Sequence, residues 1–245
     1  MRLDRFIVES GLATRSEVGR AVRAGQITVN GKVIRRPSGH IDPTCDKVTY
    51  CGREVIYREF TYIMLNKPDG YVSARTDEKS KTVLELLPDE LQRIDLFPCG
   101  RLDKNTLGLM ILTNNGPLAH KLLSPKNHVD KKYHFNVKFP ISENDVKELE
   151  AGVDIGGYFT APCKVEMVGE RDGYITLTEG KYHQIKLMAE AVHNQITYLE
   201  RVTFGPILLD GSLERGEWRY LTESEQEALE ERAAQGRTDK QHNEK

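Results

Sequence analysis

The stretch from Cys99 to Gly116, CGRLDKNTLGLMILTNNG, constrains this chain more than any other. Its apolar centre, Leu107 to Leu112 around Gly108, has too few polar breaks for a half-exposed strand and is short for a helix, which predicts a buried strand. Asn114-Asn115-Gly116 is a strong turn signal behind it, and Pro117 suits the first turn of a helix over Leu118 to Leu123. Asp103 then falls in the approach to the strand, ahead of Thr106, where a carboxylate is fixed by the scaffold yet open to a ligand. Arg101 stands two residues earlier, so in an extended loop both side chains emerge on one side and can meet an anionic ligand. A lone loop aspartate most often caps a turn; the neighbourhood of this one argues for more.

A chain of 245 residues, 38% of them hydrophobic, can hold one large domain, or a small one plus a medium one, around a real core. No long apolar run appears, and MRLDRFIVES carries charges where a signal peptide needs its apolar centre, so neither a membrane association nor a leader is expected. Cys45, Cys51, Cys99 and Cys163 show neither paired metal-ligand spacing nor a disulfide-dense pattern, which points to free thiols in a reducing cytoplasm. None of the 7 histidines lies in ligand spacing with a cysteine or carboxylate, so no metal is expected. The formal net charge of −2 does not announce a nucleic-acid binder, but the distribution of charge is uneven.

The basic end is the N-terminus, where Arg2, Arg5, Arg15, Arg20, Arg23, Lys32, Arg35 and Arg36 face only Asp4, Glu9 and Glu17. Leu3, Phe6 and Ile7 have the spacing of a short amphipathic helix ended by Gly11. Thr14-Arg15-Ser16-Glu17 has the form of a capping box and opens a second helix that Gly25 stops. On that helix Val18, Ala21 and Val22 share an inward arc, while Arg15, Arg20 and Arg23 lie on a different one. Ile27-Thr28-Val29, Asn30-Gly31 and Lys32-Val33-Ile34 read as a hairpin with a tight turn. A run of charge alone is as often a solvated face as a binding patch.

Downstream, Thr61 to Leu65 is a β-rich run stopped by Asn66-Lys67-Pro68-Asp69-Gly70. Thr82 to Leu87 can form a short helix, and Asp89 to Leu96 is too mixed to assign. Tyr133, Phe135, Val137 and Phe139 alternate with His134, Asn136 and Lys138, as in a strand with one buried face. Ser142 caps a helix over Glu143 to Ala151, and Lys164 to Val168 with Tyr174 to Thr178 form a hairpin. Ile185, Met188, Ala189 and Val192 form the buried stripe of a helix, with His183, Lys186 and Glu190 on another face. Ile196 to Thr203 and Trp218 to Leu221 are strands, and Thr222 to Glu225 is a second capping box. From Gln235 to Lys245 the chain has almost no apolar content and is expected to be disordered.

Three of these stretches together resemble one family. GRLDKNTLGLMILTNNG is similar to the catalytic signature of RsuA-like pseudouridine synthases, which isomerise uridine in ribosomal RNA; LNKPDGYVSA matches their first motif, and Glu179 to Met188 their third. The two short helices and hairpin at the N-terminus resemble the RNA-binding domain named after ribosomal small-subunit protein four. The resemblance implies an α+β fold: RNA-binding domain over residues 1–59, a catalytic domain over 60–234 built on a mixed, largely antiparallel sheet, and a tail over 235–245. It implies that Asp103 is the catalytic residue, that Lys186 pairs with it, that Tyr133 packs against the target base, and that Arg101 contacts phosphate or fills the space the base leaves. Lys67 is read as structural, His183 as a structural or RNA-positioning hydrogen bonder rather than an acid or base. Arg2, Arg15, Arg20, Arg23, Lys32 and Arg35 are the expected RNA-docking residues, neutralising phosphates with little sequence choice.

Isomerisation gains no atoms and loses no electrons, so no cofactor is expected. It needs an ionised carboxylate beside sugar and base, a cation to keep it charged under a bound nucleotide, and an aromatic surface for an unstacked uracil. The stretch SPKxHVxKxY, from Ser124 to Tyr133, resembles the small-subunit (16S) branch, so the expected partner is 16S RNA in a partly assembled small subunit, met by a monomer. The alternatives are a large-subunit (23S) synthase and an RNA-binding assembly factor without catalysis.

Overall fold

The computed structural model describes residues 1–124, 127 and 129–235. Pro125, Lys126 and His128 of the SPKxHVxKxY stretch lie outside the described residues, as does the expected disordered tail from 236 on. Gln235, assigned to that tail from sequence, lies in a helix.

The chain forms two compact units, one of Met1–Thr61 with Leu87–Leu96, the other of Tyr62–Leu86 with Phe97 onward. The first holds helices α1 (Leu3–Glu9) and α2 (Arg15–Arg23), strands β1 (Ile27–Val29), β2 (Lys32–Val33), β3 (Val48–Tyr50) and β4 (Arg53–Glu54), and the short α3 (Asp89–Gln92). Helix α2 starts where its capping box says: Glu17 N–H donates to Thr14 Oγ1 at 3.3 Å, and Thr14 N–H to Glu17 Oε2 at 2.7 Å. The strands form an antiparallel sheet in the order β2-β1-β3-β4, and Leu3, Phe6, Ile7, Val18, Val22, Ile27 and Val48 make its core.

Leu87–Leu96 thus groups with the first unit although it lies far beyond residue 59 in the chain. That segment joins the first unit through contacts that composition does not signal. Gly11, at φ +79°, brings the chain against the Glu90 carbonyl so closely that a Cβ would collide with it. Arg93 Nη1 donates to the Leu12 carbonyl at 3.3 Å, and Arg53 approaches Glu90 at 3.6 Å.

The second unit contains β5 (Tyr62–Lys67), β6 (Phe97–Pro98), β7 (Leu107–Thr113), α4 (Gly116–Leu123), β8 (Lys131–Val137) and α5 (Glu143–Ala151). It continues with β9 (Lys164–Met167), β10 (Asp172–Leu177), α6 (Gln184–Ala191), β11 (Ile196–Phe204), β12 (Ile207–Leu208), β13 (Trp218–Tyr220) and α7 (Glu223–Gln235). Its strands form one nine-stranded sheet, along β13-β5-β7-β11-β8-β10-β9, with β6 on β7 and β12 on β11. Among these strands only β7 and β11 pair in parallel, so the sheet is mixed and largely antiparallel.

The buried strand at the heart of the signature is β7, covered from Gly108 to Thr113. Asn115 caps the helix behind it, accepting from Leu118 N–H at 3.0 Å, with Pro117 in the first turn. Strand β8 buries Tyr133, Phe135 and Val137 as its alternation predicts, but stops before Phe139, which is 51% exposed. The reason is local: the Asn194 side chain takes both backbone groups of Phe139, donating to its carbonyl at 2.9 Å and accepting from its N–H at 3.1 Å. Among the described residues no helix is long and apolar enough to cross a membrane.

Candidate active site

Asp103 stands in the loop just ahead of β7, and the LNKPDGYVSA segment holds that loop from behind. Lys67, at the end of β5 and fully buried, donates from Nζ to the carbonyls of Pro68, Lys104 and Thr106 at 3.1, 3.0 and 2.9 Å. Gly70 N–H donates to the Lys104 carbonyl at 3.1 Å, and Ser73 Oγ both accepts from Leu102 N–H (3.0 Å) and donates to its carbonyl (2.7 Å). The residues on both sides of Asp103 are thus tied down, which fixes its carboxylate without touching it. Lys67 acts structurally, as expected. Its burial, opposed by Asp69 and Asp103, pushes its ammonium down to about 8.

Lys186 comes from the first turn of α6. Its Nζ lies 2.6 Å from Asp103 Oδ2 and donates to Asn105 Oδ1 at 2.6 Å. The carboxylate and ammonium are 24% and 20% exposed, so the pair is largely sheltered yet reachable. His183 sits one residue ahead of α6, in the left-handed region at φ +50°, not on the helical face with Lys186 that its spacing predicts. That backbone turn carries its Nε2 to 3.7 Å from Asp103 Oδ1.

Asp103, Arg101, His183 and Tyr133 line one open cleft of about 650 Å³; a smaller recess of about 80 Å³ beside it adds Lys186 and Thr106. Arg101 reaches the cleft as an exposed side chain. Tyr133, 8% exposed, has its phenol hydrogen-bonded by the Arg201 guanidinium; burial outweighs that cation and raises its ionisation above the usual tyrosine value. The structure thus brings every expected residue of the catalytic domain to one place.

It also supplies groups that motif reading passes over. Arg201, on β11 and 1% exposed, donates from Nε to the Leu109 carbonyl at 2.8 Å and lines the cleft. Its signal is present in the sequence: Leu199 is two residues away on the same strand, so a charge occupies the buried phase of the alternation. Lys131 lines the cleft as well; burial first, then the charge of Arg201, pushes it down to about 8. Thr106 Oγ1 is buried without a hydrogen-bond partner among the described residues. No grouping of three His, Cys, Asp or Glu side chains suited to a metal occurs among the described residues.

In the first unit Arg2, Arg15, Arg20, Arg23, Lys32 and Arg35 are all exposed. Arg2 is drawn into an ion pair with Asp4 at 2.6 Å, which spends part of its charge locally. Among the described residues the other five make no ion pair.

Comparison with known proteins agrees with this geometry. Residues 61–191 match the model of the RNA pseudouridylate synthase family, and residues 1–45 that of the S4 domain. YtzG of Bacillus subtilis, described as an uncharacterized RNA pseudouridine synthase, is 48% identical over 236 residues, covering 94% of this chain and 99% of its own. Ribosomal small subunit pseudouridine synthase A of Escherichia coli K12 is 36% identical over 228 residues, covering 92% and 98%. A crystal structure of a pseudouridylate synthase superposes with a TM-score of 0.66 at 34% identity, covering 94% of this chain and 99% of that one. A signature loop held over a cleft, an S4 domain ahead of it and end-to-end relatives make one case: the chain belongs to the RNA pseudouridylate synthases of the RsuA-like type.

Proposed function

We propose that this protein converts a specific uridine of 16S ribosomal RNA to pseudouridine, with Asp103 as the reacting carboxylate and without a cofactor. The observation that carries the reading is the 2.6 Å contact of Lys186 with Asp103 at a cleft large enough for a nucleotide. In the reaction the bond from ribose C1′ to N1 breaks, the uracil turns, a bond from C1′ to C5 forms, and the proton at C5 is given up while N1 takes one. Asp103 serves as nucleophile or as stabiliser of the electron-poor sugar, and Lys186 holds it ionised when RNA covers it. Tyr133 offers the extruded ring a flat surface, His183 a hydrogen bond, and Arg101 a charge for phosphate.

The choice of the small subunit rests on relatives named for it, among them the Escherichia coli protein at 36% identity. Docking through the S4 domain, on Arg15, Arg20, Arg23, Lys32 and Arg35 with a lesser share from Arg2, completes the reading. The four free cysteines suit a cytoplasmic protein.

Tritium release from RNA labelled at uridine C5 tests it, on free 16S RNA and on partial assembly particles. Wild type releases tritium, and Asp103→Asn lowers the rate by about 10²–10⁴-fold or more while still binding RNA. If wild type and variant are equally inactive on every substrate yet both bind, the protein is a binding factor instead.

A further inference from the structure

The rim of the cleft carries an aromatic side chain, Tyr182, that the isomerisation itself does not use. Tyr182 is 79% exposed, the most exposed of the large apolar side chains, and its ring lies on that of His183 with centroids 3.8 Å apart at 18°. His183 in turn reaches Asp103, so the two rings lead from the carboxylate outward to solvent. Beside them Lys181 Nζ sits 4.2 Å over the ring of Tyr158, which is itself 40% exposed.

This loop is braced. Glu179 accepts from Tyr158 Oη at 2.7 Å, Ala161 N–H at 3.0 Å and Gln184 Nε2 at 2.7 Å, while Lys181 N–H donates to Gln184 Oε1 at 2.9 Å. With His183 covering one face of Tyr182, the other face is the exposed one. A large ring presented to water on a fixed loop is a binding surface by its physics: it costs apolar exposure and offers a stacking partner.

We infer that the outer face of Tyr182 is a stacking subsite for the nucleobase next to the uridine held at Asp103, with Lys181 placed for the phosphate that joins them. Drawing one base out of a strand strips its neighbour of a stacking partner, and a sequence-tolerant aromatic face replaces it. The inference rests on the proposed function for its ligand class, and its test is independent of turnover.

The probes are a fluorescein-labelled single-stranded 15-nucleotide oligo(U) and the same strand with every second base removed, so that phosphates are kept. Binding is read by anisotropy. Wild type binds the complete strand more tightly than the gapped one. Tyr182→Ala loses roughly five- to a hundredfold on the complete strand and much less on the gapped one, and Tyr182→Phe binds both like wild type. Wild type that does not distinguish the two strands overturns the subsite, as does Tyr182→Ala that binds the complete strand normally or loses equally on both. Tritium release decides the isomerase reading separately: a protein with the Tyr182 signature but no turnover loses only that reading, and one with turnover but no signature loses only the subsite.

Discussion

Lys131 and Arg201 bring two positive charges to the wall of the cleft, close enough that Arg201 depresses the ionisation of Lys131. At about 8, Lys131 holds its proton at pH 7 in roughly nine molecules of ten and at pH 9 in about one of ten. The sign follows from the charge: the cation is present below the folded value and disappears as pH rises through it. Affinity for RNA should therefore decline between pH 7 and 9 in wild type. Lys131→Met should bind more weakly at pH 7 and show a flatter profile, since the titration of Lys67, also lowered to about 8, is common to both. Anisotropy titrations at a fixed salt concentration measure this; parallel profiles for the two proteins would clear Lys131 of the role.

The same residues show where sequence reading stops. Asp103 and Lys186 are legible because each sits in a motif with a recognisable neighbourhood, and their meeting across 83 residues is implied by the family likeness rather than by spacing. Arg201 carries only the weaker mark of a charge in an apolar phase, which alternation registers as noise unless the phase is followed residue by residue. The i,i+3 spacing of His183 to Lys186 fits a helix face, whereas the residue stands ahead of the helix. A left-handed residue in that position leaves no trace in hydrophobic periodicity.

At the level of elements, the strands are readable from alternation and from the apolar run at β7, but the partner of each strand is not. Periodicity reports which face is buried, never which neighbour lies alongside. The parallel pairing of β7 with β11 is the case that matters, since it sets Arg201 opposite Gly108 and so beside the signature loop. Gly108 makes that approach possible. Its φ is +93°, and an added Cβ would meet the Arg201 carbonyl, the Glu200 side chain at 2.7 Å and the Arg201 nitrogen at 3.0 Å. All but the Glu200 side chain are backbone atoms that can yield only if the two strands part. Gly108→Ala should therefore cost on the order of 2–5 kcal/mol from strain and overpacking, a fall in Tm of about 5–15 °C. Tritium release should fall as well at temperatures where the variant is still folded, because Arg201 moves with the strand. An unchanged melting curve would mean that β7 and β11 tolerate separation.

Across the whole molecule the chain passes from one unit to the other at Thr61, at Leu86 and again at Leu96, so the two units are joined by more than one linker. Composition predicts the two units and the basic character of the first, but a contiguous boundary is the natural reading because a segment that returns to an earlier unit has no compositional signature. On the proposed function, phosphates held by the first unit would raise the local concentration of RNA at the second without any change in the chemistry there. Arg20 and Arg23 project from α2 as exposed side chains, apart from its buried residues Val18, Ala21 and Val22, so reversing both to Glu should leave the fold intact. Binding each phosphate releases about one counterion, so with two arginines gone the slope of log K against log salt should flatten by roughly two. In tritium release the effect should then appear in KM, with kcat preserved once RNA is saturating, because Asp103 and Lys186 are untouched. A variant with unchanged affinity and slope would exclude this face from docking, and one whose kcat falls while KM holds would mean that the first unit shapes the reacting site rather than merely delivering RNA to it.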